Sequence, residues 1–169
     1  NKMSLQNKQP ESKELLEKYW ISGKKFHTKT FSFIKKYQNK IIVIKYGGYA
    51  LTKPALLKSF AKNISLLNQL GIRVIVVHGG GPQIEKELKK RKINNEEYQG
   101  LRVTTKSVLG VVKRILSHDL NKLISDEIKK NGGKTKRLNG VSSKVLKAKI
   151  AMNGNIGFVG EPRGIDKNL

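Results

Sequence analysis

Two short apolar runs along the chain are typical of buried β-strands. The first covers residues 41–44 and reads Ile-Ile-Val-Ile, and the second covers residues 72–77, which are apolar except for Arg73. β-Branched side chains fit a pleated sheet, and an uninterrupted apolar run indicates a strand that is covered on both faces. Each run leads into glycines. The pattern therefore predicts two buried strands, each followed by a tight turn.

Helical periodicity follows each predicted strand. After the first strand, four apolar residues recur on one stripe, namely Leu56, Phe60, Ile64 and Leu67. This spacing predicts a helix over residues 54–70 that ends at Gly71. Pro82 suits the first position of a second helix over residues 82–91. The strand–helix–strand–helix order predicts an α/β fold with a mainly parallel sheet.

The second half of the chain predicts two more helices and several short strands. The spacing of valine, leucine and isoleucine favours helices over residues 105–116 and 118–131, and Gly132-Gly133 closes the second of them. The remaining apolar segments are short and lie between turns. They predict strands at 136–138, 145–150 and 156–159.

The first part of the chain has a different character. Residues 1–9 are polar and predict a disordered tail. Residues 10–38 predict a helical arm that is kinked at Ser22-Gly23 and carries aromatic residues on both sides of the kink. Such an arm either packs on its own domain or serves as a contact surface for a partner.

Composition narrows the class of protein. The 169 residues suffice for one ordinary α/β domain. The 35 Lys+Arg against 12 Asp+Glu give a net charge of +23, which favours anionic partners or reflects lysines spread over solvated faces. Because the lysines lie inside ordinary amphipathic segments, we favour the second interpretation. The absence of cysteine excludes disulfides and thiolate zinc sites.

The sequence lacks the segments and motifs that are typical of membrane, secreted and nucleic-acid-binding proteins. No stretch reaches the ~18 apolar residues that a membrane span needs, and the start carries no apolar secretory segment. We therefore expect a cytoplasmic protein without a membrane partner. There is no helix-turn-helix signature and no RNA-binding aromatic motif, so we expect no specific nucleic-acid partner.

Glycine-rich turns at both strand ends are the first candidate for a functional site. Gly47-Gly48 follows the first strand, and Gly79-Gly80-Gly81 follows the second. In a parallel sheet, ligands bind beyond the carboxyl ends of the strands, and glycine lets backbone N–H groups approach an anion at a helix start. A pair of tight structural turns would look similar. Two successive glycine-lined ends favour the anion site.

Two cationic side chains are candidates for the same site. Lys45 ends the first apolar run, where a buried ammonium group is costly unless it meets an anion. The guanidinium of Arg102 matches a carboxylate, although an isolated arginine after Gly-Leu is more often on the surface. The histidines are scattered along the chain and predict no metal site, namely His27, His78 and His118.

These segments together resemble the N-acetylglutamate kinase family of the amino-acid kinase superfamily. The resemblance covers residues 14–165 and is carried by IVIKYGG, VVHGGGPQ, GLRVT, the Asn-Lys pair and GFVG, which stand at residues 42–48, 76–83, 100–104, 121–122 and 157–160. The pairing of VVHGGGP with GLRVT distinguishes this family from carbamate kinase, aspartokinase and uridylate kinase, which share the K-x-G-G pattern.

The resemblance implies a fold and a domain organisation. It implies a three-layer αβα sandwich around a mainly parallel sheet, preceded by the kinked N-terminal helix. Residues 39–169 would form the N-terminal lobe, which binds the acyl acceptor. The nucleotide-binding lobe would lie outside this chain, so we expect the 169-residue piece alone to bind ATP poorly and to turn over negligibly.

The resemblance also implies a reaction and roles for the candidate residues. The γ-phosphoryl group of ATP, bound with Mg²⁺, would pass to the side-chain carboxylate of N-acetyl-L-glutamate, giving an acyl phosphate in arginine biosynthesis. Lys45 would be the catalytic cation. The backbone would contact phosphate at Gly47, Gly48 and Gly79. Substrate would be held by Gly80, Gly81 and Arg102. No protein metal site is expected.

The resemblance also bears on the oligomeric state, and two alternative functions stay open. The resemblance implies a homo-oligomer, either a dimer or a hexamer formed through residues 11–38, with arginine as an effector. The alternatives are a kinase for N-acetyl-aminoadipate and a non-catalytic regulatory or assembly fragment.

Overall fold

A parallel strand pair joined by a helix forms the centre of the fold. The structure is a computed structural model and describes residues 34–140 and 146–165. Strand β1 (Ile41–Tyr46) pairs in parallel with strand β2 (Arg73–His78), and helix α1 (Pro54–Gln69) connects them. The predicted α/β class with a parallel sheet is therefore confirmed.

The remaining elements are helices and short antiparallel hairpins. Helix α2 covers Gly81–Lys90, and a two-residue hairpin follows with β3 (Glu97–Tyr98) and β4 (Leu101–Arg102). A long helical segment then consists of α3 (Lys106–Lys113), a π-helix (Arg114–Leu120) and α4 (Asn121–Lys130). A second hairpin pairs β5 (Leu146–Ile150) with β6 (Gly160–Ile165). Short 3₁₀ turns cover Ala50–Thr52 and Met152–Gly154.

Helix α1 ends at a glycine, as the sequence predicts. Gly71 has φ of +80°, and its N–H donates to the Asn68 carbonyl at 3.1 Å. The next N–H, of Ile72, reaches back to the Leu67 carbonyl at 3.0 Å. This is the Schellman arrangement, which satisfies the last carbonyls of a helix and favours glycine at the left-handed position.

The predicted break between the third and fourth helices is wrong. The chain stays helical from residue 106 to residue 130, and the π-helix replaces the break. Ile115 and Leu120 are both buried although they stand five positions apart, which is the spacing that an i→i+5 turn supplies. No glycine or proline lies within the π-helix, so nothing interrupts the helical hydrogen bonds.

Two of the predicted short strands differ from the structure. Leu146–Ile150 confirms the strand predicted at 145–150 for its described residues, but residues 136–138 form no strand. The last strand is Gly160–Ile165 rather than 156–159, where only an isolated bridge joins Gly157 to Thr104. Gly157 has φ of +67°, a left-handed conformation that cannot continue a strand.

One hydrophobic core lies between the sheet and the helices. Tyr46 is buried at the end of β1 and stacks on Phe60 of α1 with ring centroids 3.9 Å apart. Three residues of the predicted stripe of α1 pack on the core, namely Phe60, Ile64 and Leu67. The prediction is wrong only for Leu56, which is 46% exposed while Leu57 is buried. The other buried core residues are Leu51, Ala61, Ile64, Ile84, Leu88, Val108, Val111, Ile115, Leu120, Ile124 and Ile128.

The other face of the strand pair is exposed, so the prediction of burial on both faces is wrong for the described residues. Ile41 and Val43 of β1, with Ile75 and Val77 of β2, are between 45% and 64% exposed. Alternate side chains point to opposite faces, and only the face of Tyr46 meets described helices. The second helical layer of the sandwich stays a prediction.

The predicted tail and most of the predicted arm lie outside the described residues. Within the described part of the arm, residues 34–37 are helical, and the Gln38 N–H donates to the Ile34 carbonyl at 3.0 Å. None of the helices that the structure describes is both long and apolar enough to cross a membrane.

Candidate active site

The strand pairing brings the two glycine turns to one edge of the sheet. Tyr46, the last residue of β1, is the register partner of His78, the last residue of β2. The N–H of Gly79 then donates to the Tyr46 carbonyl at 3.1 Å and extends the pairing into the turns. Both turns therefore lie beyond the carboxyl ends of adjacent parallel strands, where α/β sheets bind ligands.

Gly48 and Gly80 touch each other through their backbones. A Cβ atom added to Gly48 would lie 2.8 Å from the Gly80 nitrogen and 3.0 Å from the Gly80 Cα. A Cβ added to Gly79 would lie 3.4 Å from the Gly48 nitrogen. The lack of a side chain at Gly48 is therefore a steric requirement, since backbone atoms have no room to move aside.

The remaining glycines of the two turns face different surroundings. A Cβ at Gly47 or Gly81 would meet nothing within 4 Å. A Cβ at Gly80 would lie 2.7 Å from methyl carbons of Leu116 and Leu120 in the π-helix. The π-helix therefore packs against the contact at Gly80, whereas the space beside Gly47 and Gly81 is unfilled.

The N–H groups of Gly48 and Gly80 have no hydrogen-bond acceptor in the part of the chain that the structure describes. Among all hydrogen bonds formed by the described residues, 34–140 and 146–165, none uses the N–H of Gly48 or Gly80. Gly80 is the N-cap of α2, whose first turn carries no acidic residue and no side-chain cap. Unpaired N–H groups and the positive end of a helix favour an anionic group at this place.

Lys45 lies next to the turns but is not buried. Its Cα partner in the sheet is Val77, and its side chain is on the exposed face, opposite to Tyr46. The desolvation argument for Lys45 was therefore wrong, because an exposed ammonium group needs no anion to offset burial. Lys45 forms no ion pair with any residue in the described ranges.

Arg102 is held against helix α2. Its Nη2 donates to Glu85 Oε1 at 3.3 Å, and 20% of its side chain is exposed. Its Nη1 is buried and has no hydrogen-bond partner among the residues that the structure describes. A guanidinium with one unpaired nitrogen retains N–H groups that can donate to a carboxylate. Glu85 lies on the helix that Gly80 caps, which links Arg102 to the glycine turns.

Gln83 and Tyr46 were not among the predicted site residues. Gln83 Nε2 donates to the Gly48 carbonyl at 3.0 Å and joins the start of α2 to the first turn. The Tyr46 hydroxyl is buried without a partner in the described part of the chain, and burial raises the pKa of Tyr46. The sequence signal for Gln83 was its place directly after the glycine run and Pro82.

No metal centre appears among the described residues. Within residues 34–140 and 146–165, no group of three or more His, Cys, Asp or Glu side chains lies together. His78 contacts the Gly79 carbonyl through Nδ1 at 3.1 Å, which ties it to the second turn. The donors at the turns are N–H groups and cations, a set that suits phosphate or carboxylate oxygens.

Curated acetylglutamate kinases are similar to most of this chain. The one from Campylobacter curvus is 43% identical over 129 residues, which cover 76% of this chain and 46% of that protein. The one from Psychrobacter cryohalolentis is 37% identical over 153 residues, covering 84% of this chain and 51% of its own length. The one from Rhodospirillum rubrum is 35% identical over 162 residues, which cover 89% of this chain and 52% of that protein. The chain spans about half the length of these relatives.

Solved structures share the fold of this chain. The crystal structure of smu.665 from Streptococcus mutans UA159 matches with a TM-score of 0.65 and 29% identity, covering 76% of this chain and 51% of that one. N-acetylglutamate synthase from Neisseria gonorrhoeae, in complex with coenzyme A and L-arginine, matches with a TM-score of 0.59 and covers 82% and 34%. At 21% identity, that second likeness shows the fold alone. The model of the amino acid kinase family matches residues 40–169, and the chain belongs to that family.

Proposed function

We propose that this chain supplies the acceptor lobe of a kinase that phosphorylates the side-chain carboxylate of N-acetyl-L-glutamate with ATP in arginine biosynthesis. The observation that carries the proposal is the contact of Gly48 with Gly80, which places unpaired N–H donors at the end of two parallel strands. Similarity to acetylglutamate kinases at 35–43% identity names the substrate class.

The charges and donors of the two turns suit phosphoryl transfer. Such a reaction needs positioning and charge neutralisation more than covalent participation by the protein. In the proposal, Lys45 neutralises negative charge on the transferring group. Backbone N–H groups of Gly47 and Gly48 face phosphate oxygens, while Gly80 and Gly81 face the acceptor. Gly79, which the sequence also suggested as a phosphate contact, is excluded from this role because its N–H donates to the Tyr46 carbonyl at 3.1 Å.

Arg102 would hold the α-carboxylate of the substrate. Its Nη1 is a buried donor without a partner among the described residues, and its Nη2 pairs with Glu85 at 3.3 Å, so in the proposal the guanidinium turns from Glu85 toward the substrate carboxylate. The acceptor carboxylate is already ionised at neutral pH, so the reaction needs no general base. This fits a site that is built from cations and N–H donors.

ATP and Mg²⁺ would enter this site together. The described residues fit the phosphate groups of a nucleotide, since they offer N–H donors and a lysine. They offer no carboxylate cluster for Mg²⁺ within residues 34–140 and 146–165, so the ion would be held by phosphate oxygens and water on this side of the site. When bound, Mg²⁺ neutralises charge on the phosphates.

The assembly and regulation proposals rest on the sequence resemblance. They comprise a homo-oligomer formed through residues 11–38 and inhibition by arginine. Light scattering of the purified chain tests the oligomeric state, and calorimetric titration with arginine tests the binding of the effector.

Calorimetric titration of the 169-residue chain with N-acetyl-L-glutamate tests the substrate assignment. Arg102→Ala should weaken binding by about 2–4 kcal/mol, because a charge-assisted contact is lost. Arg91→Ala is the matched control, because Arg91 also pairs with a glutamate of α2, Glu87 at 2.7 Å, but lies at the other end of the helix. Equal affinity of wild type and Arg102→Ala would remove Arg102 from the site.

A further inference from the structure

Gln83 joins the two glycine turns by a side-chain hydrogen bond. It is the third residue of α2 and half-buried, and its Nε2 donates to the Gly48 carbonyl at 3.0 Å. Because a carbonyl oxygen only accepts hydrogen bonds, the Gln83 amide must present its NH₂ group to Gly48, and this fixes the orientation of the amide. The helix that Gly80 caps is thereby tied to the turn that contains Gly48.

The hydrogen bond from Gln83 restrains the orientation of the peptide group between Gly48 and Tyr49. Without a Cβ, Gly48 occupies a wide range of backbone angles, so sterics alone do not fix the peptide between Gly48 and Tyr49. The carbonyl and the N–H of one trans peptide point in opposite directions. Because Gln83 Nε2 binds the Gly48 carbonyl, that oxygen is engaged by a donor and is not free to turn toward a bound anion, which it would repel.

The other half of the Gln83 amide shows that stability alone does not explain this residue. Its Oε1 is buried and has no hydrogen-bond partner in the described part of the protein. An unpaired buried acceptor is costly, and an apolar side chain of similar size would fill the same space without that cost. The donor to Gly48 is therefore the specific contribution of the glutamine.

We propose that Gln83 is a positioning residue that fixes the Gly48 carbonyl, so that the contact between Gly48 and Gly80 presents only N–H donors to a bound anion. The inference rests on the proposed function, in which that anion is the transferring phosphoryl group or the carboxylate beside it. Gln83 itself needs no contact with substrate in this role.

A pair of glutamine-to-methionine variants tests the role. Gln83→Met removes the donor at nearly constant volume. Gln69→Met is the matched control, because Gln69 Nε2 also donates to a backbone carbonyl, of Asn131, at 3.2 Å and far along the chain from the turns. Calorimetry of the full chain with N-acetyl-L-glutamate should show affinity about 5–10-fold lower for Gln83→Met, as expected for one lost hydrogen bond, and unchanged for Gln69→Met.

An NMR measurement separates the positioning role from the proposed substrate. In ¹H–¹⁵N spectra, Gln83→Met should shift or broaden the amide signals of Gly48 and Tyr49, whereas Gln69→Met should leave them unchanged. If wild type binds no N-acetyl-L-glutamate, the proposed function fails while these signals still decide the positioning role. Unchanged Gly48 and Tyr49 signals in Gln83→Met, or equal loss of affinity in both variants, would overturn the inference.

Discussion

Gly48 and Gly80 lie in direct backbone contact, with a Cβ on Gly48 placed only 2.8 Å from the Gly80 nitrogen. Residues 32 positions apart meet here because β1 and β2 pair in parallel and end side by side. The contact joins the end of one strand to the start of the following helix α2. Any side chain at Gly48 would separate the turns and the N–H donors that they carry.

Alanine substitutions at the two adjacent glycines of the first turn should differ in their effect on the free energy of unfolding. Gly48→Ala collides with backbone atoms of Gly80, and we expect a loss of about 1–3 kcal/mol in the free energy of unfolding. Gly47→Ala meets nothing within 4 Å, so its effect should stay within about 0.5–1 kcal/mol of wild type. Urea unfolding measures both. Equal stability of the two variants would contradict the contact.

The same pair of variants should differ in ligand binding. Gly48→Ala should abolish calorimetric binding of N-acetyl-L-glutamate, because the turns can no longer approach each other. Gly47→Ala should keep it.

A buried serine links helices α1 and α4. Ser65 is fully buried, and its Oγ lies 2.8 Å from the carbonyl oxygens of both Ala61 and Ile128. Ser65→Ala should lower the free energy of unfolding by about 1–2 kcal/mol, because a buried hydrogen bond is lost. Ser59→Ala on the exposed side of the same helix is the control, since it has the same change in helix propensity. A Ser65→Ala protein as stable as Ser59→Ala would show that the hydroxyl contributes nothing.

The third helix begins at a threonine cap. Thr105 Oγ1 accepts a hydrogen bond from the Val108 N–H at 3.3 Å. Thr105→Ala should cost about 1 kcal/mol of unfolding free energy, while Thr105→Asp keeps an acceptor and adds a charge that suits the helix start. Thermal unfolding distinguishes the variants. If Thr105→Asp is as unstable as Thr105→Ala, the cap is not what stabilises this helix.

Two surface carboxylates predict a loss of stability in acid. A hydrogen bond from Arg91 lowers the pKa of Glu87, and one from Lys122 lowers the pKa of Asp126. A group with a lowered pKa in the folded state stabilises the protein above its unfolded pKa. This contribution disappears as pH falls through the folded pKa.

Charge-removing variants test this pH dependence. Glu87→Gln and Asp126→Asn should unfold at lower urea than wild type at pH 7 and should approach wild type as the carboxyls become protonated. Since both ion pairs lie at the surface, with side chains 21% exposed for Glu87 and 40% exposed for Asp126, added salt should reduce the difference at pH 7, more so for Asp126. A difference that is independent of pH and salt would exclude the ion pairs as its cause.

Local chemistry in the sequence determined several elements of this protein. The β-branched runs specified both strands, and Gly71 specified the end of α1, because a left-handed residue after a helix favours glycine. Glycines after each strand identified the edge of the sheet where a ligand could bind. Arg102 was also predicted as a site residue and stays a prediction, while its pairing with Glu85 was not foreseen.

Tertiary structure decided which surfaces these elements bury and which atoms meet. Ile41 and Val43 look like core residues in the sequence but are exposed, since burial depends on a covering layer that no local pattern reports. The contact of Gly48 with Gly80 and the bond from Gln83 arise from strand register, which is set by pairing between distant segments. Sequence alone therefore fixed the kinds of residue at the site, while packing of distant segments fixed their geometry.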